Sequence, residues 1–217
     1  MAKLSVRIAS AFREWVFGVQ NHEAQKIMAA MALAIPTLRT ARLVLRPFAE
    51  ADADDLFALH TNEHVLRYWD SPPWSDAQRA ERFIAACRQM ADEDTGIRLA
   101  IDLASEARFI GWCSVTGWNR DFRSARLTYV FDDGAWGHGY ATEAVHELLS
   151  WAFATLNLNR VQAETDTRNG ASVRVLTKLG FELEGTLRQD CIVNGEVSDS
   201  FVFGLLRQDW APPGEGL

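Results

Sequence analysis

Hydrophobic residues recur along this chain with two different periods, which mark predicted helices and predicted strands. Helical spacing covers residues 51–60, a segment that begins at Ser75, and a long stretch from about Ala141 to Leu156. Gln78 follows Ser75 by three residues, which predicts a capping box at the start of the second helix. Short apolar or alternating runs predict strands at residues 42–46, 98–103, 108–116, 125–131 and 160–165.

The C-terminal part of the chain is predicted to hold one more helix and a hairpin. Residues 171–179 have helical spacing, and the strand predicted at 181–188 is followed by another at 198–206. The dipeptide Asn194-Gly195 between these two strands is typical of a tight hairpin turn. We therefore expect the chain to close with an antiparallel pair.

The order of these elements predicts an α/β fold in one domain. Strand 125–131, the long helix and strand 160–165 form a βαβ unit, and such crossovers join parallel strands with a right-handed connection. The hairpins add antiparallel pairs, so the expected architecture is a single mixed sheet with flanking helices. We assign this domain to residues 36–212, with an N-terminal extension at 1–35 and a tail at 213–217.

The N-terminal extension differs from the rest of the chain because basic residues outnumber acidic ones there. Its apolar run Ile27–Ile35 is too short and begins too late for a typical signal peptide. The extension is therefore expected to be helical, ending before Pro36, or partly disordered. The alternative is that translation starts at Met28 or Met31.

The composition is that of a globular protein, since the 217 residues are 48% hydrophobic and 24% charged. The chain has no run of about 18 apolar residues, so no membrane association is predicted. The formal net charge of −7 argues against nucleic acid as a partner and favours cationic partners such as amines. Cys87, Cys113 and Cys191 lie far apart and cannot all pair, which predicts a reducing, cytoplasmic location.

A glycine-rich turn, Gly134-x-x-Gly137-x-Gly139, lies between strand 125–131 and the long helix and is called the glycine loop below. The first N–H groups of a helix lack intrahelical acceptors and carry partial positive charge, and glycines let a ligand approach the backbone closely. Such a turn can bind a phosphate. Its spacing differs from that of the triphosphate loop and of the dinucleotide fingerprint. The alternative is that these glycines only permit a tight turn.

Four short motifs lie in order along the predicted domain, at residues 40–46, 136–144, 169–181 and 199–210. In the second motif, Gly139 and Ala141 occupy small-residue positions and Trp136 precedes them. Together the four resemble the motifs of the GNAT acetyltransferases, in which Gln or Arg usually stands at the position of Trp136. The same replacement is common in the branch that resembles ribosomal-protein N-terminal acetyltransferases (RimJ/RimL-like). The resemblance covers roughly residues 36–210.

The resemblance implies a sheet whose two central parallel strands splay apart, with acetyl-CoA as co-substrate in the splay and no metal. The strand at 128–131 would offer backbone groups to the pantetheine arm, and the amides of the glycine loop would hold the pyrophosphate. The residues implied in cofactor binding are Val130, Phe131, Trp136, Gly137, His138, Gly139, Tyr140, Ala141, Thr142, Asn169 and Ser172.

The resemblance also implies direct acetyl transfer from a thioester to an amine, a reaction in which the leaving thiolate must be protonated or stabilised. Many members use a tyrosine in the helix of the third motif, but Leu176 stands at that position, so Ser172 is the candidate catalytic residue. An alternative role for Ser172 is to cap that helix. Three acidic residues are candidates for the general base: Glu164, Asp166 and Asp132.

Four aromatic residues at predicted loop positions are candidates for the acceptor pocket, namely Tyr68, Trp69, Trp74 and Trp118. Aromatic walls suit an ammonium group or a peptide N-terminus, although the same residues would equally suit a core. We expect a protein N-terminal amine as the acceptor, and a small-molecule amine is the second expectation. A homodimer is compatible with this interpretation.

Two other functions compete with acetyl transfer. Because the usual tyrosine is absent and the base is unassigned, the domain could bind acyl-CoA as a sensor without transferring the group. The segment from His60 to His64 matches the H-x-x-E-H pattern, in which two histidines share a zinc ion if they lie on one helical face. Only three residues of that pattern are fixed, so it carries little weight.

Overall fold

The computed structural model describes residues 33–210, which form one eight-stranded mixed sheet with helices on it. The sheet order is β1-β2-β3-β4-β5-β6-β8-β7. The strands are β1 (Leu38–Arg39), β2 (Leu43–Arg46), β3 (Gly96–Leu103), β4 (Arg108–Asn119), β5 (Ser124–Phe131), β6 (Arg160–Asp166), β7 (Glu182–Val193) and β8 (Glu196–Leu206). The α-helices of this part of the chain are α1 (Ala53–Thr61), α2 (Gln78–Asp92), α3 (Tyr140–Thr155) and α4 (Gly170–Lys178). The predicted fold class is confirmed.

The central strands β5 and β6 are parallel and separate soon after they meet. They pair only from Ser124 opposite Arg160 to Arg126 opposite Gln162. Beyond that point β5 stays paired with β4 as far as Phe131, while β6 stays paired with β8 along its whole length. Because each strand remains fixed in its own half of the sheet, a gap opens between them. The predicted βαβ unit and its splayed strands are both present.

The hydrophobic core on one face of the sheet lies beneath α1 and α2. Ala100, Trp112 and Val130 stand opposite one another on β3, β4 and β5 and form a row on this face. Leu56 of α1 and Ile84 of α2 are buried against this row. Side chains alternate between the faces of a strand, so the neighbours of Val130 on β5 face the other side. The two faces of β5 therefore have different surroundings.

The start of α2 differs from the prediction. The helix begins at Gln78, and the Gln78 N–H donates a hydrogen bond to Oδ1 of Asp76 at 3.0 Å. The expected capping box at Ser75 is therefore wrong, because the carboxylate of Asp76 takes the role of acceptor. The same carboxylate binds Arg82 at 2.7 Å, which fixes this end of the helix further.

The closing hairpin forms at the predicted turn, but its strands are longer than expected. Asn194 and Gly195 both have positive φ, +52° and +82°, as a two-residue hairpin turn requires. The predicted tail at 213–217 lies outside the described residues, as does the predicted extension at 1–35 apart from its last three residues. Within residues 33–210, none of the helices is long and apolar enough to cross a bilayer.

Candidate active site

A cavity of about 470 Å³ opens where β5 and β6 separate. Its wall is built from these two strands, the glycine loop and the first turns of α3 and α4. Among the predicted cofactor residues, those in the wall are Val130, Phe131, Trp136, Gly137, Gly139, Tyr140, Ala141, Thr142, Asn169 and Ser172. His138 is exposed and lies outside this wall. Residues that are distant in sequence thus converge on one space.

The glycine loop enters α3 in a conformation that favours glycine. Gly137 and Gly139 both have φ of +79°, and Gly139 is the N-cap of α3. A Cβ at Gly137 would meet no atom within 4 Å, so its backbone borders open space. The first amides of α3 carry the partial positive charge of a helix N-terminus. This geometry fits a diphosphate laid against the backbone.

An ion pair from the turn before β2 holds the glycine loop in place. Arg42 donates from Nε to Glu143 at 2.7 Å and from Nη1 to the carbonyl oxygen of His138 at 3.0 Å. Thr40 donates to the same carboxylate at 2.5 Å. Burial of Glu143 opposes ionisation, but the hydrogen bonds from Thr40 and Arg42 outweigh it and hold the pKa of Glu143 below its ordinary value. The motif at residues 40–46 therefore holds the glycine loop in place and does not itself line the cavity.

Basic side chains in the cavity wall also fit an anionic ligand. Arg67, Arg174 and Lys178 line the cavity, and none of them forms an ion pair within residues 33–210. The guanidinium of Arg67 lies 4.8 Å from the ring centre of Trp136. Trp136 in turn donates from Nε1 to the carbonyl oxygen of Phe131 at 2.9 Å. The Phe131 carbonyl thus already accepts one hydrogen bond, which leaves β5 fewer backbone acceptors for the pantetheine arm of the cofactor.

Ser172 lies in the cavity wall beside a tyrosine that the sequence analysis did not single out. The hydroxyl of Ser172 is 2.8 Å from the hydroxyl of Tyr129 on β5. The N–H of Ser172 donates to Oδ1 of Asn169 at 3.1 Å, so Asn169 rather than Ser172 caps α4. Burial raises the pKa of Tyr129 to about 12, although the hydrogen bond with Ser172 lowers it. Tyr129 therefore stays protonated and can donate a hydrogen bond to Ser172.

The three candidate bases differ in their surroundings. Asp166 borders the cavity, but Arg168 at 2.8 Å and Ser198 at 2.6 Å occupy its carboxylate. The hydrogen bond from Arg168 lowers the pKa of Asp166 to about 2, so this group is a poor proton acceptor near neutral pH. Asp132 is not in the cavity wall. Glu164 is exposed in the wall and is the remaining candidate.

The predicted acceptor aromatics do not all lie together. Tyr68 and Trp69 line the first cavity, and Trp69 also borders a second cavity of about 410 Å³. Trp74 is buried in the wall of this second cavity. Trp118 borders neither cavity, and its ring lies 4.5 Å beneath the guanidinium of Arg120. The two cavities adjoin at Trp69 and Thr128.

The histidines of the H-x-x-E-H segment have separate partners. His60 is buried, and its Nε2 accepts a hydrogen bond from Trp112 Nε1 at 3.1 Å. His64 is exposed, with Nδ1 3.0 Å from Asp133. Among the described residues, no group of three or more His, Cys, Asp or Glu side chains is placed to hold a metal ion. The spacing of the two histidines is therefore accounted for by these other contacts.

The features of the sheet and of the first cavity together identify the functional class of this protein. A mixed sheet with splayed parallel strands, a glycine loop at a helix N-terminus and a basic cavity between them is the arrangement expected of an acyl-CoA-dependent transferase. The acetyltransferase (GNAT) domain family matches residues 42–182. The chain belongs to this family, and acetyl-CoA is its co-substrate.

Similar proteins support this assignment and differ in the acceptors they are named for. An uncharacterised N-acetyltransferase, p20, of Bacillus licheniformis is 31% identical over 81% of this chain and 98% of its own. A putative ribosomal N-acetyltransferase, YdaF, of Bacillus subtilis (strain 168) is 28% identical over 77% of this chain and 93% of its own. The crystal structure of the Vibrio cholerae spermidine N-acetyltransferase in complex with CoA and spermine has a TM-score of 0.71 and 22% identity, over 78% of this chain and 98% of that one.

Proposed function

We propose that this acetyltransferase acts on a primary amine and that Ser172 and Tyr129 stabilise the departing thiolate. The observation that carries the proposal is the 2.8 Å hydrogen bond between their hydroxyls in the wall of the cavity between β5 and β6. Tyr129 comes from β5 and Ser172 from the first turns of α4, so the pair bridges the two sides of this wall. The glycine loop and the basic residues of the same cavity are proposed to bind the pyrophosphate of acetyl-CoA.

The reaction follows from these positions. The nitrogen of a neutral amine attacks the thioester carbon, the carbon–sulfur bond breaks, and its electron pair goes to sulfur. Tyr129 donates a hydrogen bond to Ser172 Oγ, and the hydroxyl hydrogen of Ser172 is then free to point at the sulfur. A hydrogen bond to a developing charge in a site that excludes water stabilises the transition state. The proton lost by the amine passes to Glu164 or to solvent, and the thiolate then takes up a proton from solvent.

The acceptor proposed first is a protein N-terminal amine. The resemblance to the RimJ/RimL-like branch and the putative ribosomal N-acetyltransferase YdaF among the relatives support it. A small-molecule amine is the second candidate, because Tyr68 and Trp69 line the first cavity and aromatic rings suit an ammonium group. The homodimer compatible with the sequence stays a prediction.

Release of thiol from acetyl-CoA tests the proposed activity. The purified chain is incubated with acetyl-CoA and a panel of free N-terminal peptides and small amines, and free CoA is measured together with the mass of each acceptor. We expect thiol release that depends on the acceptor, with a gain of 42 Da. Tight acetyl-CoA binding without release on any acceptor would instead favour an acyl-CoA sensor. Failure to bind acetyl-CoA would contradict both functions.

A further inference from the structure

The second cavity lies against the face of the sheet that α1 and α2 cover. Its wall includes the side of β5 that carries Thr128, and it adjoins the first cavity there and at Trp69. Three arginines border it, Arg79 and Arg82 from α2 and Arg98 from β3. As far as residues 33–210 are concerned, no Asp or Glu belongs to this wall. The cavity next to the proposed reaction centre is therefore locally cationic.

Within residues 33–210, Arg98 has no anionic partner although it is half-buried. Its guanidinium lies 4.2 Å from the ring centre of Phe83 and 5.1 Å from that of Trp112. In the described part of the chain, its Nε is buried without a hydrogen-bond partner, and the one partner of its Nη1 is the Cys87 sulfur at 3.7 Å. A guanidinium nitrogen that is buried without an acceptor costs free energy. Such a cost is common where a group is kept ready for a ligand.

Arg79 is the second unpaired cation of this cavity. Its guanidinium lies 5.3 Å from the ring centre of Trp74, and within the described part of the chain it forms no ion pair. Arg82, by contrast, is paired with Asp76 at 2.7 Å. Burial is the largest cause that lowers the pKa of His60 to about 4, and the positive charges of Arg79 and Arg98 lower it further. His60 is therefore neutral and adds no charge at neutral pH.

We propose that the second cavity binds an oxyanion carried by the acceptor, so that the preferred acceptor is a primary amine with a nearby carboxylate. Arg98 and Arg79 bind the carboxylate, and the amine points towards Trp69 and Thr128, where the two cavities meet. This inference rests on the proposed function and narrows its substrate class. A polyamine would place further positive charges against the same arginines, which disfavours it.

Calorimetry on the full chain saturated with CoA tests this preference without requiring a reaction. The probes are the C-terminally amidated peptides Ser-Glu-Glu and Ser-Lys-Lys, free glutamate, and spermidine. We expect Ser-Glu-Glu to bind at least about tenfold more tightly than Ser-Lys-Lys and spermidine, the ratio expected of one charge-assisted hydrogen bond. Free glutamate distinguishes a small anionic amine from a peptide: comparable affinity indicates the former, weaker affinity the latter, and either keeps the anionic class.

Two variants connect the preference to the arginines. Arg79→Gln, at an exposed position, should remove most of the difference between the two peptides, whereas Arg88→Gln, on α2 outside the cavity, should leave it unchanged. Arg98→Met should remove the difference too, without lowering Tm, because it removes a guanidinium whose buried Nε has no acceptor within residues 33–210 and keeps apolar atoms against Phe83 and Trp112. A merely structural role for Arg98 would lower Tm. Equal binding of the two peptides, or tighter binding of Ser-Lys-Lys or spermidine, overturns the inference. Since CoA occupies the protein in these measurements, such a result leaves acetyl transfer itself standing.

Discussion

Ser172 makes two hydrogen bonds that serve different purposes. Its N–H is held by the side chain of Asn169 at 3.1 Å, and this bond fixes the first turn of α4. Its hydroxyl is 2.8 Å from that of Tyr129, and this bond orients the proposed donor in the cavity. Because the backbone bond does not need the side chain, removal of the hydroxyl should affect chemistry more than structure.

We therefore predict that Ser172→Ala lowers kcat by roughly 100-fold, a typical effect of losing one donor to a developing charge, while the KM for acetyl-CoA changes little. Tyr129→Phe should lower kcat less, and the double variant should be no slower than Ser172→Ala, because the two hydroxyls act as a unit. Steady-state kinetics of thiol release measures all three. Ser150→Ala, on α3 outside the cavity, is the control. Multiplicative effects in the double variant would show that the two residues act independently.

Gly139 combines backbone conformation with contact to the proposed diphosphate. Gly139→Asp forces a side chain onto a residue with φ of +79° and brings a carboxylate to the helix N-terminus. We expect the Kd for acetyl-CoA to rise at least about tenfold, as for loss of a hydrogen bond to a charged group. Gly195→Asp, with φ of +82° in the hairpin turn, carries similar backbone strain away from the cavity. Calorimetry on both variants separates the two effects, and unchanged affinity in Gly139→Asp would count against the site.

The position of β5 decides the width of the cavity. Its residues beyond Arg126 have lost β6 as a neighbour and depend on β4 for their backbone pairing. Gly111 of β4 stands opposite Phe131, near the end of this pairing. A Cβ built at Gly111 would lie 2.2 Å from the carbonyl oxygen of Val130, which no side chain can tolerate. Glycine at this position lets the two strands approach closely.

Gly111→Ala is accordingly expected to lower the free energy of unfolding by about 3 kcal/mol, the upper end of the range for overpacked sites. Gly117→Ala, also on β4, has φ of +62° but no neighbour within 4 Å of its Cβ. It should cost about 1 kcal/mol, from backbone strain alone. Urea denaturation of the two variants gives the comparison. Similar losses would mean that the contact with Val130 relaxes easily.

The net charge of the whole molecule is negative, whereas basic side chains line its cavities. The formal net charge is −7, which favours cationic partners, yet arginines line both cavities and a lysine lines the first. A potential focused inside a cleft acts on a ligand more directly than the total charge does. Anionic ligands are therefore compatible with an acidic protein, provided that they bind in these cavities.

Acid should destabilise the whole fold through His60. The pKa of His60 is about 4 in the folded protein and 6.5 as its ordinary value, so its contribution is full above pH 6.5 and is lost as pH falls from 6.5 towards 4. These two values predict a loss of about 2 kcal/mol between pH 7.5 and 5. Denaturant melts over this range measure it. His60→Gln, which keeps an acceptor for Trp112, should flatten the curve, and an equally steep curve would place the titration elsewhere. The stabilising contribution of Asp166 is full above pH 3.8, its ordinary pKa, and is lost only as the pH falls from 3.8 towards about 2, so it does not affect this range.

Most helices and strands, and the glycine loop, could be predicted from the amino-acid sequence, because they depend on residues that are neighbours in the chain. Hydrophobic period fixes a helix or strand locally, and a glycine with positive φ needs only its own backbone freedom. The predicted capping box at Ser75 was also a local pattern, and it failed because of a local competitor. Asp76, one residue further on, accepts the hydrogen bond from the Gln78 N–H.

Which side chains meet could not be predicted, because it depends on the three-dimensional arrangement of the elements. Tyr129 and Ser172 are 43 residues apart, and Arg79 and Arg98 reach one cavity from a helix and a strand. Trp118 has the same aromatic character as Trp69 but lies away from both cavities. These outcomes follow from strand register and from the packing of helices on a sheet, which place residues by three-dimensional distance and leave no local pattern in the chain.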